Sequence, residues 1–164
     1  METFIIKHIL SDIQTQKIIK EFVIANHLKI TGYDEQSKQI QLSKLHLSFP
    51  EFYDVDVWTK SNCWICMCDD NLIGCVGLKK YNSDTYEIGY LFVDPNYQNK
   101  GIGKQLLQTV IDCSKSNQQM KYLRLITLEG LMDSAIKLYK KNGFVIADTK
   151  KVECFTVVCM VLVL

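Results

Sequence analysis

The chain has 164 residues, enough to bury a sizeable core as one domain (1–164) without disulfide staples. Its 19 basic and 18 acidic side chains leave a formal net charge of +1, which argues against a nucleic-acid-binding surface and its usual basic excess. Seven cysteines, an odd number, follow an N-terminus with no basic start, apolar run or small-residue cleavage site, so an intracellular, reducing compartment such as the cytoplasm is expected.

Phe4 to Leu10 is apolar and β-branched and predicts a first strand. Ser11 and Asp12 can cap a helix that carries Ile13, Ile18, Phe22 and Ile24 and ends near Gly32. A second helix is expected over 34–47. The aromatic-rich stretch 48–61 fits a loop over a binding cleft.

Two strands, Trp64–Cys68 and Leu72–Leu78, flank the turn signal Asp69-Asp70-Asn71 and predict a hairpin. Cys63 immediately precedes it and Cys66 and Cys68 lie in it, but no second cysteine or histidine cluster completes four ligands. They read as small apolar core residues, and no metal is expected.

Tyr86–Val93 is a further strand, ended by Asp94-Pro95. A helix over 101–116 follows, with Leu106, Leu107, Val110 and Ile111 on one face. Then come a strand (122–128), a short helix (133–142) stopped by Gly143, and two strands (144–148 and 154–164). The run Phe155–Leu164 is very apolar but about half the length of a membrane span, so it reads as a buried strand and no membrane segment is expected. Three consecutive middle strands imply antiparallel pairing, and the later strand–helix–strand units imply some parallel pairing. The fold class is α/β (α+β type), a mixed twisted sheet flanked by helices.

The stretch from Glu87 to Lys104 carries the chemistry. A strand enters a loop, Gln98-Asn99-Lys100-Gly101-Ile102-Gly103-Lys104, whose glycines open a helix. Glycines let a ligand approach the backbone, and the unpaired N–H groups of a helix start suit a phosphate. The spacing is neither that of a P-loop nor that of a dinucleotide fingerprint.

Gln98 to Gly103 resembles the pyrophosphate loop of the GNAT superfamily of N-acetyltransferases, and it follows a strand ending Val93-Asp94-Pro95 as that family commonly has. Ala135 to Phe144 is similar to the family's late helix and following strand, and Asn71 to Leu78 to its second hairpin. The resemblance covers about residues 63 to 147. It implies a mostly antiparallel sheet with splayed central strands and acetyl-CoA as co-substrate, with no metal.

Gln98, Asn99, Lys100, Gly101, Gly103 and Lys104 would then hold the pyrophosphate. Leu91 and Val93 would pair their backbones with the pantetheine arm, and the Leu91 N–H would stabilise the oxyanion. Glu87, eleven residues before Gln98, has the offset of the glutamate that is the general base in several enzymes of that family, which the resemblance implies here, against the plainer reading of a solvated charge at a strand end. Tyr139 has the register of the general acid, against that of a helix tyrosine packed on the sheet. One departure is Met132, where many relatives carry an asparagine that contacts the pantetheine.

Arg124 is the only arginine and, with Lys79 or Lys80, can grip a phosphate or carboxylate on the acceptor; the plainer reading is a surface arginine. Lys79 and Lys80 face opposite ways in a strand, so at most one points inward. The expected partner is therefore a small-molecule amine, with an amino-sugar phosphate such as glucosamine 6-phosphate one candidate. A protein amine, or a non-catalytic acyl-CoA sensor, is the alternative. A homodimer stays open, with the apolar last strand able to contribute to its interface.

Overall fold

The computed structural model describes residues 3–9, 13–30, 62–152 and 155–164. In chain order they form β1 (Phe4–Ile9), α1 (Ile13–Ile30), β2 (Asn62–Cys68), β3 (Asn71–Lys80) and β4 (Thr85–Val93). A 3-10 turn (Pro95–Tyr97), α2 (Ile102–Lys115), β5 (Tyr122–Glu129), α3 (Asp133–Lys141), β6 (Val145–Val152) and β7 (Phe155–Val163) follow. The expected helix over 34–47, the stretch 48–61, and the capping pair Ser11 and Asp12 lie outside the described residues.

All seven strands join one sheet in the order β1-β2-β3-β4-β5-β7-β6. Every neighbouring pair is antiparallel except β4 with β5, which is parallel. The mixed, mostly antiparallel sheet expected from the sequence is the one found. No helix among the described residues is long and apolar enough to cross a membrane.

Alternation along the strands divides the core between the two faces of the sheet. On one face Trp64, Cys66, Val76, Leu78, Ile88, Leu123 and Leu125 pack under α2 and α3. The stripe Leu106, Leu107, Val110 and Ile111 is fully buried there, and Ile102 and Ser114 extend it. Gly74 lets α2 come close, since a Cβ on it would sit 3.1 Å from both Leu106 Cδ1 and the Phe92 carbonyl oxygen. On the other face Cys63, Ile65, Cys75 and Phe92 pack under Ile19 and Val23 of α1.

The buried face of α1 keeps Phe22 of the expected stripe but takes Ile19 in place of Ile18. Ile19 and Val23 are buried while Ile18 is half exposed. β6 also runs further than expected, through Thr149, Lys150 and Lys151. Those polar residues belong to a strand because β7 pairs with them across the hairpin, which local propensity does not report.

The cysteines of β2 and β3 are free thiols inside this core. Burial pushes the Cys63 thiol up to about 12 from an ordinary 9.0 and raises Cys75 and the Tyr139 phenol as well. Each group is held protonated in the fold but ionises in the unfolded chain once the pH passes its ordinary value. The stabilisation from the neutral forms is thus fully present below about pH 9 and is lost as pH rises toward 12. Urea midpoints under reducing conditions should fall over that window. Cys63→Ala should flatten the slope by about 1.4 kcal/mol per pH unit. An unchanged slope would mean that Cys63 is not the group concerned.

Candidate active site

The parallel pairing of β4 with β5 runs only from Thr85–Tyr122 to Ile88–Leu125. Beyond it β5 remains paired with β7 as far as Glu129, and β4 remains paired with β3 as far as Val93. The two central strands therefore part after Ile88, leaving a slot in the middle of the sheet.

β4 carries a bulge on the edge of that slot. Between the pairs Gly77–Gly89 and Cys75–Phe92, two residues, Tyr90 and Leu91, stand opposite Val76 alone. Tyr90 sits in the left-handed region at φ 52°, which costs a non-glycine residue about 1–2 kcal/mol. Past the bulge, the backbone directions follow by alternation. The Asp94 N–H donates to the Ile73 carbonyl on β3 at 2.8 Å. The N–H and C=O of Val93 therefore face away from β3, those of Phe92 face it, and those of Leu91 face the slot again. Gln98 Nε2 meets the Val93 carbonyl at 3.1 Å, and a carbonyl oxygen has a second lone pair for another donor.

The loop beyond β4 ends at the start of α2. Asn99 and Gly101 are both left-handed, at φ 61° and 83°. Gly101 is needed for that backbone, as its missing side chain meets nothing within 4 Å. Gly103 differs. Its φ is ordinary, and a Cβ there would make only ordinary contacts, 3.7 Å from Leu138 and Val93. Packing within the protein does not demand a glycine at 103, whereas close approach of a ligand would. The first N–H paired within α2 is that of Gln105, to Gly101, so the N–H groups of Ile102, Gly103 and Lys104 form an anion-attracting end. Lys100 lies against Tyr97, 5.0 Å from the ring centroid.

At the closed end of the slot three charged side chains from neighbouring strands meet. Lys79, Glu87 and Arg124 are cross-strand neighbours on β3, β4 and β5. Glu87 is 4 % exposed. Its Oε1 lies 3.3 Å from Lys79 Nζ and its Oε2 lies 2.9 Å from Arg124 Nε. The Arg124 N–H is not aimed at that oxygen, so the contact is an ion pair rather than an aligned hydrogen bond. The guanidinium also stacks on Tyr81, 3.9 Å from the ring centroid. Lys79 is thus the inward member of its pair, and Lys80 is exposed. Arg124 is mostly covered, not a surface residue.

Tyr139 is buried on α3, its ring 5.8 Å from that of Phe144. It belongs to the core on the α2 and α3 face, whereas Glu87 points to the α1 face, as its neighbour Ile88 belongs to the α2 side. The two expected catalytic side chains therefore flank the sheet on opposite faces. Met132 precedes α3, and the adjacent Asp133 accepts a hydrogen bond from the Gly130 N–H at 2.8 Å. Tyr81, Cys75 and the left-handed Tyr90 escaped the sequence analysis, because only the three-dimensional register of β3 on β4 brings them to the site.

Residues 59–146 match the family model described as an acetyltransferase (GNAT) domain. A 76-residue stretch is 33% identical to N-alpha-acetyltransferase RimI of Mycobacterium tuberculosis, covering 44% of this chain and 45% of that protein. The chain spans less than half the length of the curated relatives it matches. A GNAT family acetyltransferase from Elizabethkingia anophelis, solved with acetyl-CoA bound, is similar at TM-score 0.60 and 28% identity over 67% of this chain and 81% of that one. A GNAT family acetyltransferase from Staphylococcus aureus shares the fold at TM-score 0.68 and 21% identity, with 97% of this chain and 99% of that chain covered. With its parted central strands, its glycine-opened helix and a family match over more than half its length, the chain belongs to the GNAT acetyltransferase family.

Proposed function

We propose that residues 1–164 act as one acetyl-CoA-dependent N-acetyltransferase domain that moves the acetyl group to a primary amine by direct attack in a ternary complex. The observation that carries this reading is the slot between β4 and β5, lined by the backbone of Leu91 and Val93 and ending at the bare N-terminus of α2. The relative from Elizabethkingia anophelis, which holds acetyl-CoA, supports it.

In this reading the N–H groups of Asn99, Gly101, Gly103 and Lys104 bind the pyrophosphate, with Gln98 and Lys100 bordering it. Leu91 and Val93 pair with the pantetheine arm as an added strand would. The Leu91 N–H stabilises the oxyanion that forms when the amine nitrogen attacks the acetyl carbon. The intermediate collapses by breaking the carbon–sulfur bond, and Tyr139 gives its phenolic proton to the departing thiolate. Burial raises the Tyr139 phenol, which keeps the donor protonated at neutral pH. The same desolvation raises the basicity of a thiolate leaving into the slot, so the two stay matched.

Glu87 takes the proton from the amine. Four residues of strand separate it from Leu91, roughly 13 Å if fully extended. The proton therefore passes through water.

Calorimetry should detect acetyl-CoA binding, and Gly103→Ala, whose Cβ the fold accommodates, should weaken it several-fold by crowding the approach of the ligand to the backbone. A thiol-release assay with an amine panel separates an enzyme from a sensor. Tyr139→Phe and Glu87→Gln should each lower kcat on the order of a hundredfold with little change in acetyl-CoA affinity. Turnover at wild-type rates in either variant would remove that residue's role.

The acceptor we propose is a small amine carrying a phosphate or carboxylate, such as glucosamine 6-phosphate. Lys79 and Arg124 both lie against Glu87, and theirs are the cationic groups that a phosphate or carboxylate on the acceptor would meet. Arg124→Lys keeps the charge beside Glu87 but removes the planar fork. It should raise the KM for the amine about tenfold or more and leave that for acetyl-CoA unchanged. Equal rates on the phosphorylated and unphosphorylated sugar would overturn this choice. The similarity to N-alpha-acetyltransferase RimI favours a peptide N-terminus as the second reading, and short peptides belong in the same panel. The free thiols of β2 and β3 suit a reducing compartment, here the cytoplasm. The exposed Val145, Ile146 and Val163 of β6 and β7 suit a homodimer.

A further inference from the structure

Cys75 lies on β3, fully buried and opposite Phe92. Its thiol donates to the Tyr90 carbonyl, with the sulfur 3.3 Å from the oxygen. Tyr90 is the left-handed residue of the bulge, and the peptide that begins at its carbonyl ends at the N–H of Leu91. A trans peptide is planar, so its C=O and N–H point in opposite directions. A group that holds the Tyr90 carbonyl toward β3 therefore aims the Leu91 N–H away from β3, into the slot.

A bulge needs such a hold more than a regular strand does. Val76 alone faces two residues of β4, so the ladder is irregular at these peptide planes. A rotation of the Tyr90–Leu91 plane would move the Leu91 N–H out of the slot. The thiol is a weak donor in water, but here Cys75 is buried and its sulfur lies within hydrogen-bond reach of the carbonyl. Burial also raises its pKa well above the ordinary value, so the donated hydrogen is present at every working pH.

We propose that Cys75 is a positioning residue for acetyl transfer, its thiol locking the Tyr90–Leu91 peptide so that the Leu91 N–H meets the acetyl carbonyl. The proposal rests on the acetyltransferase reading above. It assigns Cys75 no contact with substrate and no redox or nucleophilic step.

Cys75→Ser keeps a donor, Cys75→Ala removes it, and Cys75→Val removes it while filling the space. Three measurements follow: melting temperature, steady-state kinetics, and the infrared carbonyl band of carbonyl-13C-labelled acetyl-CoA bound without amine. In the wild type and in Cys75→Ser the bound band should lie below that of free acetyl-CoA, the mark of a hydrogen-bonded carbonyl. In Cys75→Ala and Cys75→Val it should move back toward the free position. Their kcat should fall about tenfold or more, while acetyl-CoA affinity and the KM for the amine stay within about twofold. Wild-type kcat and band position in the alanine and valine variants would overturn the proposal. So would a serine variant as impaired as alanine, or loss of the fold in both apolar variants, either of which makes Cys75 a packing residue. Absence of acetyl-CoA binding or turnover in the wild type would bring down the acetyltransferase reading itself, a failure visible before any variant is compared.

Discussion

Backbone hydrogen bonding in the centre of the sheet is the constraint on which the rest depends. A buried N–H or C=O must find a partner, and a strand that leaves its neighbour exposes a row of such groups. β5 keeps β7 along its whole length, and β4 keeps β3 to its end, so neither strand can turn to close the gap between them. Each is also anchored by packing: Ile88 and Leu125, at the last shared pair, sit in the core beneath α2 and α3. The gap is thus maintained by bonds on its outer sides, and its inner edge stays available to an extended ligand that brings its own amides.

The charged cluster at the closed end of the gap has a different energetic character. A buried carboxylate costs several kcal/mol in lost hydration, and its partners offset this only while both remain. Removing one partner of such a pair typically costs about 3–5 kcal/mol, because a charge is left behind without compensation. Lys79, Glu87 and Arg124 occupy adjacent strands at the point where the sheet is still fully paired, so rigid ladders hold the three charges in register. The strain of the left-handed Tyr90 falls a few residues further on, where pairing has become irregular. Rigidity and strain are therefore neighbours along one strand, with the charges fixed by the first and the slot-facing amides set by the second.

Much of this frame was legible in the sequence, for identifiable reasons. The stripe of α2 appears because four apolar residues recur at helical spacing and nothing else competes for them. The loop from Gln98 to Lys104 appears because its glycines and its place after a strand are local features. The bulge was illegible. Glycine is the usual sign of a left-handed residue, and Gly89 is adjacent, yet the left-handed angle falls on Tyr90. Cross-strand register imposes it against local preference, and no single strand contains that information. The same holds for the ion cluster. Alternation limits the choice to Lys79 or Lys80, but only the register of β3 on β4 makes Lys79 the neighbour of Glu87. On α1 the buried residue is Ile19 rather than Ile18, because a helix with apolar residues at both positions does not declare which faces the sheet.

The two glycines of the loop separate what the fold requires from what a ligand requires. Gly101 answers to the chain itself, since its positive φ would strain any side chain. Gly103 has neither a positive φ nor a close neighbour, and it opens onto the first turn of α2, where unpaired N–H groups concentrate partial positive charge. At the opposite end of the slot Lys79 and Arg124 flank the buried carboxylate of Glu87. In the proposed reaction the two ligands enter from opposite ends and meet near Leu91, whose N–H faces the slot where the oxyanion develops.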